Sequence, residues 1–213
     1  LALTDHSPRL TIANGLSPER LAQQLEVVAD INAQMAAVGE AFTLLPGIEV
    51  DILEDGKLDQ TRAMLERLDV VVSSVHSKLR ADAETMTLRM VGGISNPFTN
   101  VLGHCTGRLV EGGRGTRPES QFDAEVVFAA CVQFDVALEI NSRPERRDPP
   151  SRLIALALET GCLFSIDTDS HAPGQLDFLD YGCARAVEAG VPPERIVNTW
   201  PLDRLLEWTH AKR

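Results

Sequence analysis

Short apolar runs alternate with longer amphipathic segments along the whole chain. The short runs are rich in Val, Leu and Ile, a composition typical of strands in a buried parallel sheet. Strand-like runs lie at residues 1–4, 42–50, 70–75, 100–103, 136–140, 162–166 and 196–197.

Between these runs, apolar residues recur at the three- and four-residue spacing of amphipathic helices. The first such segment opens at Ser17-Pro18, where serine caps the helix and proline takes the first helical position. Gly161 ends a later segment and is typical of a helix C-terminus. Helices are predicted from residue 17 through Met35, around Met64, through Met86 and Met90, at 122–133, 151–160 and 176–189, and from Leu202 onward.

This alternation predicts an α/β fold with a parallel sheet and right-handed crossovers. Two arrangements of such a sheet compete. In a barrel, the C-terminal ends of all strands meet on one face. An open doubly wound sheet would carry a Gly-x-Gly-x-x-Gly turn after its first strand, and none is present there. A closed or distorted barrel is therefore preferred.

Four of the five histidines end a strand-like run, and they are His6, His76, His104 and His171. Glu49 ends another run in the same way. A lone carboxylate at the end of a buried strand is costly unless it is paired or bound to a metal. Convergence of these groups predicts a metal site. Imidazole and carboxylate ligands without cysteine suit Zn²⁺, Mn²⁺ or Fe²⁺ better than Ca²⁺ or Mg²⁺.

The segment from Asp167 to His171 offers a further ligand pair. If the preceding strand continues, Asp169 and His171 share one side, two positions apart. Asp167 is expected to point to the other side and to brace the backbone. His210, near the C-terminus, has no such context and is expected to face solvent.

Arginines beyond the strand ends suit a phosphorylated substrate. Arg108 has two interpretations of equal weight, a two-pronged hydrogen bond to a phosphate or a surface ion pair. Arg143, Arg146 and Arg147 form a basic run. One of them is expected to steer an anionic substrate, and most of the run to be solvated. Asn141, at a strand end, is expected to position substrate or a ligand.

The composition bounds the partners and the compartment. A net charge of −11 over 213 residues disfavours a tight non-specific grip on nucleic acid by this domain alone, although bound cations would add positive charge. No apolar run approaches the roughly 20 residues of a membrane span, so no membrane association is expected. The cysteines show no paired spacing, which predicts buried free thiols in a cytoplasmic protein. They are Cys105, Cys131, Cys162 and Cys183.

Six segments occur in the order found in the PHP (polymerase and histidinol phosphatase) family. They are Thr-Asp-His-Ser at 4–7, Gly-Ile-Glu-Val-Asp-Ile at 47–52, Ser-Val-His-Ser at 74–77, Gly-His-Cys-Thr-Gly-Arg at 103–108, Glu-Ile-Asn at 139–141 and Asp-Thr-Asp-Ser-His at 167–171. The resemblance covers essentially the whole chain. It is closest to the C-terminal PHP domain of bacterial family X DNA polymerases, which Arg146-Arg147-Asp148 also fits.

The resemblance implies a distorted (β/α)7 barrel that hydrolyses phosphoesters with up to three divalent metals. By position, Glu49 would bridge two metals, His76 and His104 would complete the second, Asp169 would bind the first, and His6 and His171 would bind the third. Hydroxide from a metal-bridging water would attack in line. The third metal or Arg108 would steady charge on the leaving side. The candidate catalytic residues are thus Glu49, His104, Asp169 and Arg108.

The start of the chain departs from the family pattern. The family opens with a His-x-His strand, and residues 1–213 contain none. We therefore expect a single PHP domain over residues 1–213, truncated at its N-terminus and lacking the first strand. The first metal would then lack two histidines, and the third would lack one ligand. Cys105 stands where the family often has proline, and little is expected from that change.

Three classes of function remain open at this stage. The preferred one is a phosphoesterase acting on DNA, as a 3′-5′ exonuclease or a processor of DNA ends or abasic sites, with an upstream polymerase-like or DNA-binding module. The enzymatic alternative is a small-molecule phosphomonoesterase of the histidinol-phosphatase type. A non-catalytic PHP scaffold in a DNA repair protein is the third. A metal-dependent amidohydrolase is weaker, because it would usually show an early His-x-His.

Overall fold

A computed structural model of the chain describes residues 1–113 and 115–213. Its six strands form one sheet in which each strand pairs in parallel with the next along the chain. They are β1 (Ala2–Leu3), β2 (Leu45–Asp51), β3 (Val70–Ser74), β4 (Val101–Leu102), β5 (Ala137–Asn141) and β6 (Phe164–Asp167). This sequential order is that of a barrel, whereas a doubly wound sheet reverses its strand order.

Helices follow the strands, and all but the last pack on the outside of the sheet. They are α1 (Pro18–Ala37), α2 (Arg62–Leu65), α3 (Ala83–Ile94), α4 (Ala124–Gln133), α5 (Ser151–Thr160), α6 (Leu179–Glu188) and α7 (Leu202–His210). The predicted caps are present. Ser17 Oγ accepts a hydrogen bond from the Arg20 backbone N–H, and Gly161 ends α5 with a φ of 102°.

The sheet is strongly curled, as the residues that follow its first and last strands show. His6 follows β1 and His171 follows β6, yet their ring centroids are only 5.6 Å apart. In a flat sheet, five strand spacings of roughly 4.8 Å would separate them by about 24 Å. The predicted α/β barrel architecture is therefore confirmed, with six strands. Among the described residues β1 and β6 do not pair, so the barrel is open between them.

The two faces of the sheet carry separate apolar clusters. Alternate residues such as Ile48, Val50 and Ile140 point outward into the core beneath the helices. A smaller cluster fills the inside of the barrel near the N-terminal strand ends, and it comprises Val72, Val101, Ala137, Val197 and Trp208. We call this cluster the interior plug. Side chains alternate between the two faces of the sheet. The inward-facing residues nearer the C-terminal strand ends are polar. Glu49, Asp51, Glu139 and Asn141 are among them.

Two predicted elements differ from the structure in kind. The strand expected at 196–197 is reduced to a single bridge between Ile196 and Phe164, and Val197 begins a 3-10 turn. The Asn198 side chain takes the place of strand pairing at this edge of β6. Its Oδ1 accepts from the Ile166 N–H at 2.7 Å, and its Nδ2 donates to the Ile166 carbonyl at 3.0 Å. The helix expected at 176–189 begins as a 3-10 helix at Pro173–Phe178.

The cysteine prediction was right about free thiols and wrong about one position. Cys105, Cys131 and Cys162 are buried and unpaired. Cys183 is also unpaired, but it is exposed on α6. No helix within residues 1–113 and 115–213 combines the length and the apolar character needed to cross a bilayer.

Candidate metal centre

Glu49 lies among three imidazoles at the C-terminal ends of β1 to β4. Its Oε2 is 3.2 Å from His6 Nδ1, and its Oε1 is 3.2 Å from His76 Nε2 and 2.9 Å from His104 Nε2. The parallel ladder brings them together, since His6 forms a bridge directly beside Glu49. The Glu49 side chain is only 11% exposed.

The nitrogen atoms of this cluster fit a divalent metal. His6 Nδ1, His76 Nε2 and His104 Nδ1 are buried, and none finds a hydrogen-bond partner among the described residues. Such unsatisfied groups are costly in a folded protein. One ligand atom each from His6, Glu49 and His76 lie within 4.8 Å of one another. Ligands of a tetrahedral zinc, each about 2.0–2.2 Å from the ion, are roughly 3.4 Å apart, close to these separations.

Asp51 holds the other side of the His76 ring. Its Oδ1 forms a hydrogen bond with His76 Nδ1. Burial alone would lower the pKa of His76, but the hydrogen bond to Asp51 and the nearby negative charge of Glu49 raise that pKa to about 9 in the metal-free protein. Glu49 is buried, which by itself would raise its pKa, yet the hydrogen bond to His104 and the nearby His76 ring hold that pKa well below its usual range. The carboxylate is therefore ionised and available to bind a cation.

Asp169 and His171 reach the same pocket through a turn, not through the continued strand that was predicted. β6 ends at Asp167, and Asp169 has a left-handed φ of 49°, so the strand does not continue. The resulting turn places Asp169 Oδ1 3.6 Å from His171 Nδ1. The expectation of an extended strand was wrong, although both residues do reach the cluster. The Asp169 side chain is buried, and that of His171 is 49% exposed.

Two further carboxylates line the pocket on β5 and β6. Asp167 was predicted to point away and brace the backbone, which was wrong. It lies on the inner face, its Oδ1 is 2.8 Å from Ser165 Oγ, and burial together with nearby Glu49 raises its pKa to about 6 despite that hydrogen bond. Glu139 accepts a hydrogen bond from the His104 backbone N–H. Burial and the nearby Asp167 raise the pKa of Glu139 well above its usual range.

A signal for these two residues was present in the sequence. Asn141 pairs with Asp167, and Glu139 pairs with Ser165, in the β5–β6 ladder. Polar residues therefore occupy alternate positions on two neighbouring strands, and that period of two marks one face. Asn141 positions a candidate ligand as expected, because its Nδ2 donates to Asp169 Oδ2 at 3.1 Å.

The arginines are arranged differently from the expectation for a solvated run. Arg146 is buried, and its Nε donates to Asp169 Oδ2 at 2.9 Å. Arg143 is also buried, and its Nη1 donates to the Asp169 carbonyl at 3.1 Å. Only Arg147 is exposed. Arg146 Nη1 is buried without a hydrogen-bond partner within the part of the chain that the structure describes.

Arg108 forms an ion pair, the second of its two predicted roles. Its Nη1 pairs with Glu119 Oε1 at 3.3 Å, and its Nε donates to the Arg146 carbonyl at 3.1 Å. A further hydrogen bond reaches the Arg147 carbonyl. Arg108 therefore supports the loop after β5, while Arg146 and Arg143 lie 2.9 and 3.9 Å from the Asp169 carboxylate. His210 lies outside the site and pairs with Asp69 at the surface, as expected.

An open cleft adjoins the cluster on its β1–β3 side. It has a volume of about 370 Å³ and reaches the side chains of Asp51 and His76. The other lining residues are Arg9, Leu10, Leu53, Glu54, Asp55 and Ser77. The site thus combines a cluster of imidazoles and carboxylates, arginines on its β5–β6 side and room for an organic group on the opposite side.

The chain is similar to several known proteins, although no family model matches it. It is 32% identical over 198 residues to the DNA polymerase/3′-5′ exonuclease PolX of Bacillus subtilis, which covers 93% of this chain and 33% of that protein. It therefore spans about a third of that relative's length. It is 28% identical over 185 residues to the probable phosphatase YcdX of Escherichia coli, which covers 82% of this chain and 71% of that protein.

A solved structure shares the fold. The histidinol phosphate phosphatase of Lactococcus lactis, determined with zinc, L-histidinol and phosphate, superposes with a TM-score of 0.52 and 17% sequence identity. The match covers 78% of this chain and 73% of that one. At this identity, the likeness concerns the fold alone.

Proposed function

Because the chain belongs to the PHP (polymerase and histidinol phosphatase) family, we propose that it is a metal-dependent phosphoesterase whose site is built around Glu49. One observation carries the proposal. Imidazoles from β1, β3 and β4 meet on one buried carboxylate, with ring nitrogens that have no hydrogen-bond partner among the described residues. Such an arrangement is costly for an empty pocket and suited to divalent cations.

The proposed ligands are the converging side chains. Together they would bind up to three divalent ions, with Zn²⁺, Mn²⁺ or Fe²⁺ as candidates. They are His6, Glu49, His76, His104, Asp169 and His171. Bound metal supplies a Lewis acid that polarises phosphoryl oxygens and lowers the pKa of coordinated water. In this proposal Glu49 contributes both carboxylate oxygens, and Asn141 and Arg146 hold Asp169 in place.

Arg146 and Arg143 are proposed to bind the phosphoryl group. Both guanidinium groups are buried at the edge of the carboxylate cluster. Arg143 Nε forms an ion pair with Glu145 Oε2 at 3.6 Å, beyond hydrogen-bond distance. Arg146 Nη1 finds no hydrogen-bond partner among the described residues. A guanidinium in that state suits an incoming phosphate, since arginine forms strong charge-assisted hydrogen bonds with phosphate oxygens. The proposed phosphate contact thus moves from Arg108 to Arg146 and Arg143.

DNA is the preferred substrate class, with 3′-5′ exonuclease or DNA-end processing as the reaction. The similarity to PolX over 93% of the chain favours it. The net charge of −11 implies that affinity for DNA would come from an additional polymerase-like or DNA-binding module of the parent protein.

A small phosphomonoester is the second candidate substrate. The observation that favours it is that the similarity to YcdX extends over 71% of that probable phosphatase, whereas only 33% of PolX is covered. The cleft of about 370 Å³ beside His76 has room for a small organic group.

Both substrates are to be offered to the metal-loaded chain in parallel assays. The assays use end-labelled single-stranded DNA, histidinol phosphate and an aryl phosphate, each with Glu49→Gln as the matched variant. We expect hydrolysis that Glu49→Gln reduces by more than about 100-fold, because losing even an outer partner of a metal site costs 10–100-fold. Hydrolysis of the small esters without hydrolysis of DNA would exclude the proposed nuclease activity.

The non-catalytic scaffold is tested by metal analysis of the same preparation. A phosphoesterase retains at least one transition-metal ion per chain after dialysis. Hydrolysis that is equal in the wild type and in Glu49→Gln, or a chain that retains no metal, would contradict the proposal.

A further inference from the structure

We propose that Asp51 is a positioning residue that fixes the tautomer and orientation of His76 and thereby sets the metal affinity of the centre. The inference deepens the proposed function, on which it rests in assigning His76 a ligand role. Asp51 was not among the ligands expected from the sequence.

The two ring nitrogens of His76 face different carboxylates. Nδ1 forms a hydrogen bond with Asp51 Oδ1, while Nε2 lies 3.2 Å from Glu49 Oε1 outside hydrogen-bond geometry. A neutral imidazole that donates from Nδ1 keeps its lone pair on Nε2. The contact therefore leaves the free electron pair on the side of the ring that faces Glu49.

Asp51 is itself held rigidly. It lies at the end of β2, two residues after Glu49, so both side chains are on the inner face of the sheet. It pairs with Ser74 in the β2–β3 ladder, its carbonyl accepts a hydrogen bond of 2.9 Å from the Asp59 N–H, and the residue is 5% exposed. The carboxylate thus presents one geometry to His76, which is what an outer partner of a ligand requires.

The other imidazoles of the cluster lack an equivalent partner among the described residues. His104 Nδ1 has no hydrogen-bond partner, and its Nε2 faces Glu49. His171 Nδ1 lies 3.0 Å from the backbone carbonyl of Asp169, 3.0 Å from Arg143 Nη1 and 3.6 Å from Asp169 Oδ1, beyond hydrogen-bond distance to that carboxylate. Among the described residues of the cluster, His76 is the ring that forms a hydrogen bond with a carboxylate on the nitrogen remote from Glu49. Since a carboxylate partner raises the basicity of a histidine ligand, we expect Asp51 to strengthen metal binding at His76 Nε2.

Two variants of Asp51 and one control separate this role from a structural one. Asp51→Ala removes both the charge and the acceptor, and Asp51→Asn keeps the shape and an acceptor oxygen. Ser7→Ala is the matched control, because it removes the support of the same strand end and leaves the carboxylate in place.

The first readout needs no metal. Nitrogen-15 NMR of the metal-free protein, titrated to pH 10, identifies which nitrogen of neutral His76 carries the proton. We expect the Nδ1–H form in the wild type, Ser7→Ala and Asp51→Asn, and the Nε2–H form favoured by free histidine in Asp51→Ala. An unchanged tautomer in Asp51→Ala would overturn the proposal, whatever the catalytic activity of the chain.

The second readout is the Zn²⁺ dissociation constant measured by competition with a chelator. We expect affinity to fall about 10–100-fold in Asp51→Ala and about tenfold in Asp51→Asn, and to change less than about threefold in Ser7→Ala. If Asp51→Ala does not fold, Asp51→Asn decides, and wild-type affinity in that variant overturns the proposal. A wild-type chain that binds no Zn²⁺ but shows the expected tautomers would instead contradict the proposed function.

Discussion

The Glu49 carboxylate determines the chemistry of the site at the residue scale. Two of its three imidazole neighbours, His6 and His76, lie 3.2 Å from it without forming hydrogen bonds. The nitrogens that face the carboxylate therefore have an opposite charge nearby but no hydrogen-bond partner. A buried cation placed among these atoms would satisfy both nitrogens and the carboxylate together. The same reasoning assigns the phosphate contact to Arg146, whose guanidinium is buried and incompletely bonded.

A comparison of two lysine variants tests the assignment of the arginines. We expect Arg146→Lys to lower kcat/KM for the preferred phosphoester by roughly 100-fold, because lysine lacks the planar fork that binds phosphate oxygens in pairs. Arg108→Lys is expected to reduce kcat/KM by less than about fivefold and to cost roughly 1 kcal/mol of folding free energy, since Arg108 bonds to loop carbonyls. A larger kinetic effect at Arg108 than at Arg146 would reverse the assignment.

Single residues were predictable from the sequence where a strand leads directly into a ligand. His6, Glu49, His76 and His104 follow apolar runs, and the structure brings all four together. Asp167 and the arginines were not placed correctly. The period of two along β6 indicates the face of Asp167, but that signal was overlooked. The positions of the arginines depend on how the loop after β5 folds, and no periodicity in the sequence predicts that.

At the scale of elements, buried polar side chains tie the strand ends to one another. Arg89 on α3 donates at 2.9 Å to the Ile52 carbonyl and at 2.7 Å to the Ser77 carbonyl, which joins the loops after β2 and β3. Asp148 accepts from both the backbone N–H and the Oγ1 of Thr106, which joins the loops after β4 and β5. These contacts fix the loops that carry His76 and His104.

Helix α6 offers a direct test of how tightly the elements support the site. A Cβ on Gly182 would lie 2.1 Å from Ser142 Oγ and 2.6 Å from Ile166 Cγ2, so Gly182→Ala forces α6 away from β5 and β6. We expect a loss of roughly 1–3 kcal/mol of unfolding free energy, measured by urea denaturation. Gly174→Ala is the control, because nothing lies within 4 Å of its new Cβ. Its expected change is within about 0.5 kcal/mol. Equal stabilities of the two variants would contradict this packing.

Most elements were predictable from local pattern, and the exceptions have identifiable causes. α5 occupies Ser151–Thr160 as predicted, because its start, apolar spacing and terminal glycine agree. The expected strand at 196–197 fails because the Asn198 side chain occupies the edge of β6. The links made by Arg89 and Asp148 join residues distant in sequence, so local pattern carries no sign of them.

At the scale of the whole molecule, curling of the sheet creates the site. β1 and β6 are separated by four strands, yet the residues that follow them meet. The strand and helix order predicted a barrel, and the sequential strand order confirms it. What the sequence could not provide is the degree of curl, because curl depends on the interior plug formed by side chains from β3, β4, β5 and α7.

The crowded charges of the pocket predict an unusual dependence of stability on pH in the metal-free protein. The pKa of His76 is raised to about 9 in the folded state, against about 6.5 in the unfolded chain. Its stabilising effect is therefore complete below pH 6.5 and is lost as pH rises through 9. We expect the unfolding free energy in EDTA to fall by roughly 2–3 kcal/mol between pH 6.5 and pH 9.

His76→Gln is the control for this pH effect. Lys212, whose pKa burial lowers to about 8, acts in the opposite sense above that pH in both proteins, so the difference between them isolates His76. The measurement is urea denaturation at several pH values. A difference between wild type and His76→Gln that is constant with pH would contradict the prediction.

We propose that segments distant in sequence deliver imidazole and carboxylate groups to one metal-binding pocket. X-ray absorption at the zinc edge of the zinc-loaded chain tests this proposal most directly. We predict nitrogen and oxygen ligands at about 2.0–2.2 Å with the outer-shell signal of imidazole rings, and loss of that signal in Glu49→Gln. Sulfur ligands at about 2.3 Å, or a spectrum unchanged by Glu49→Gln, would contradict it.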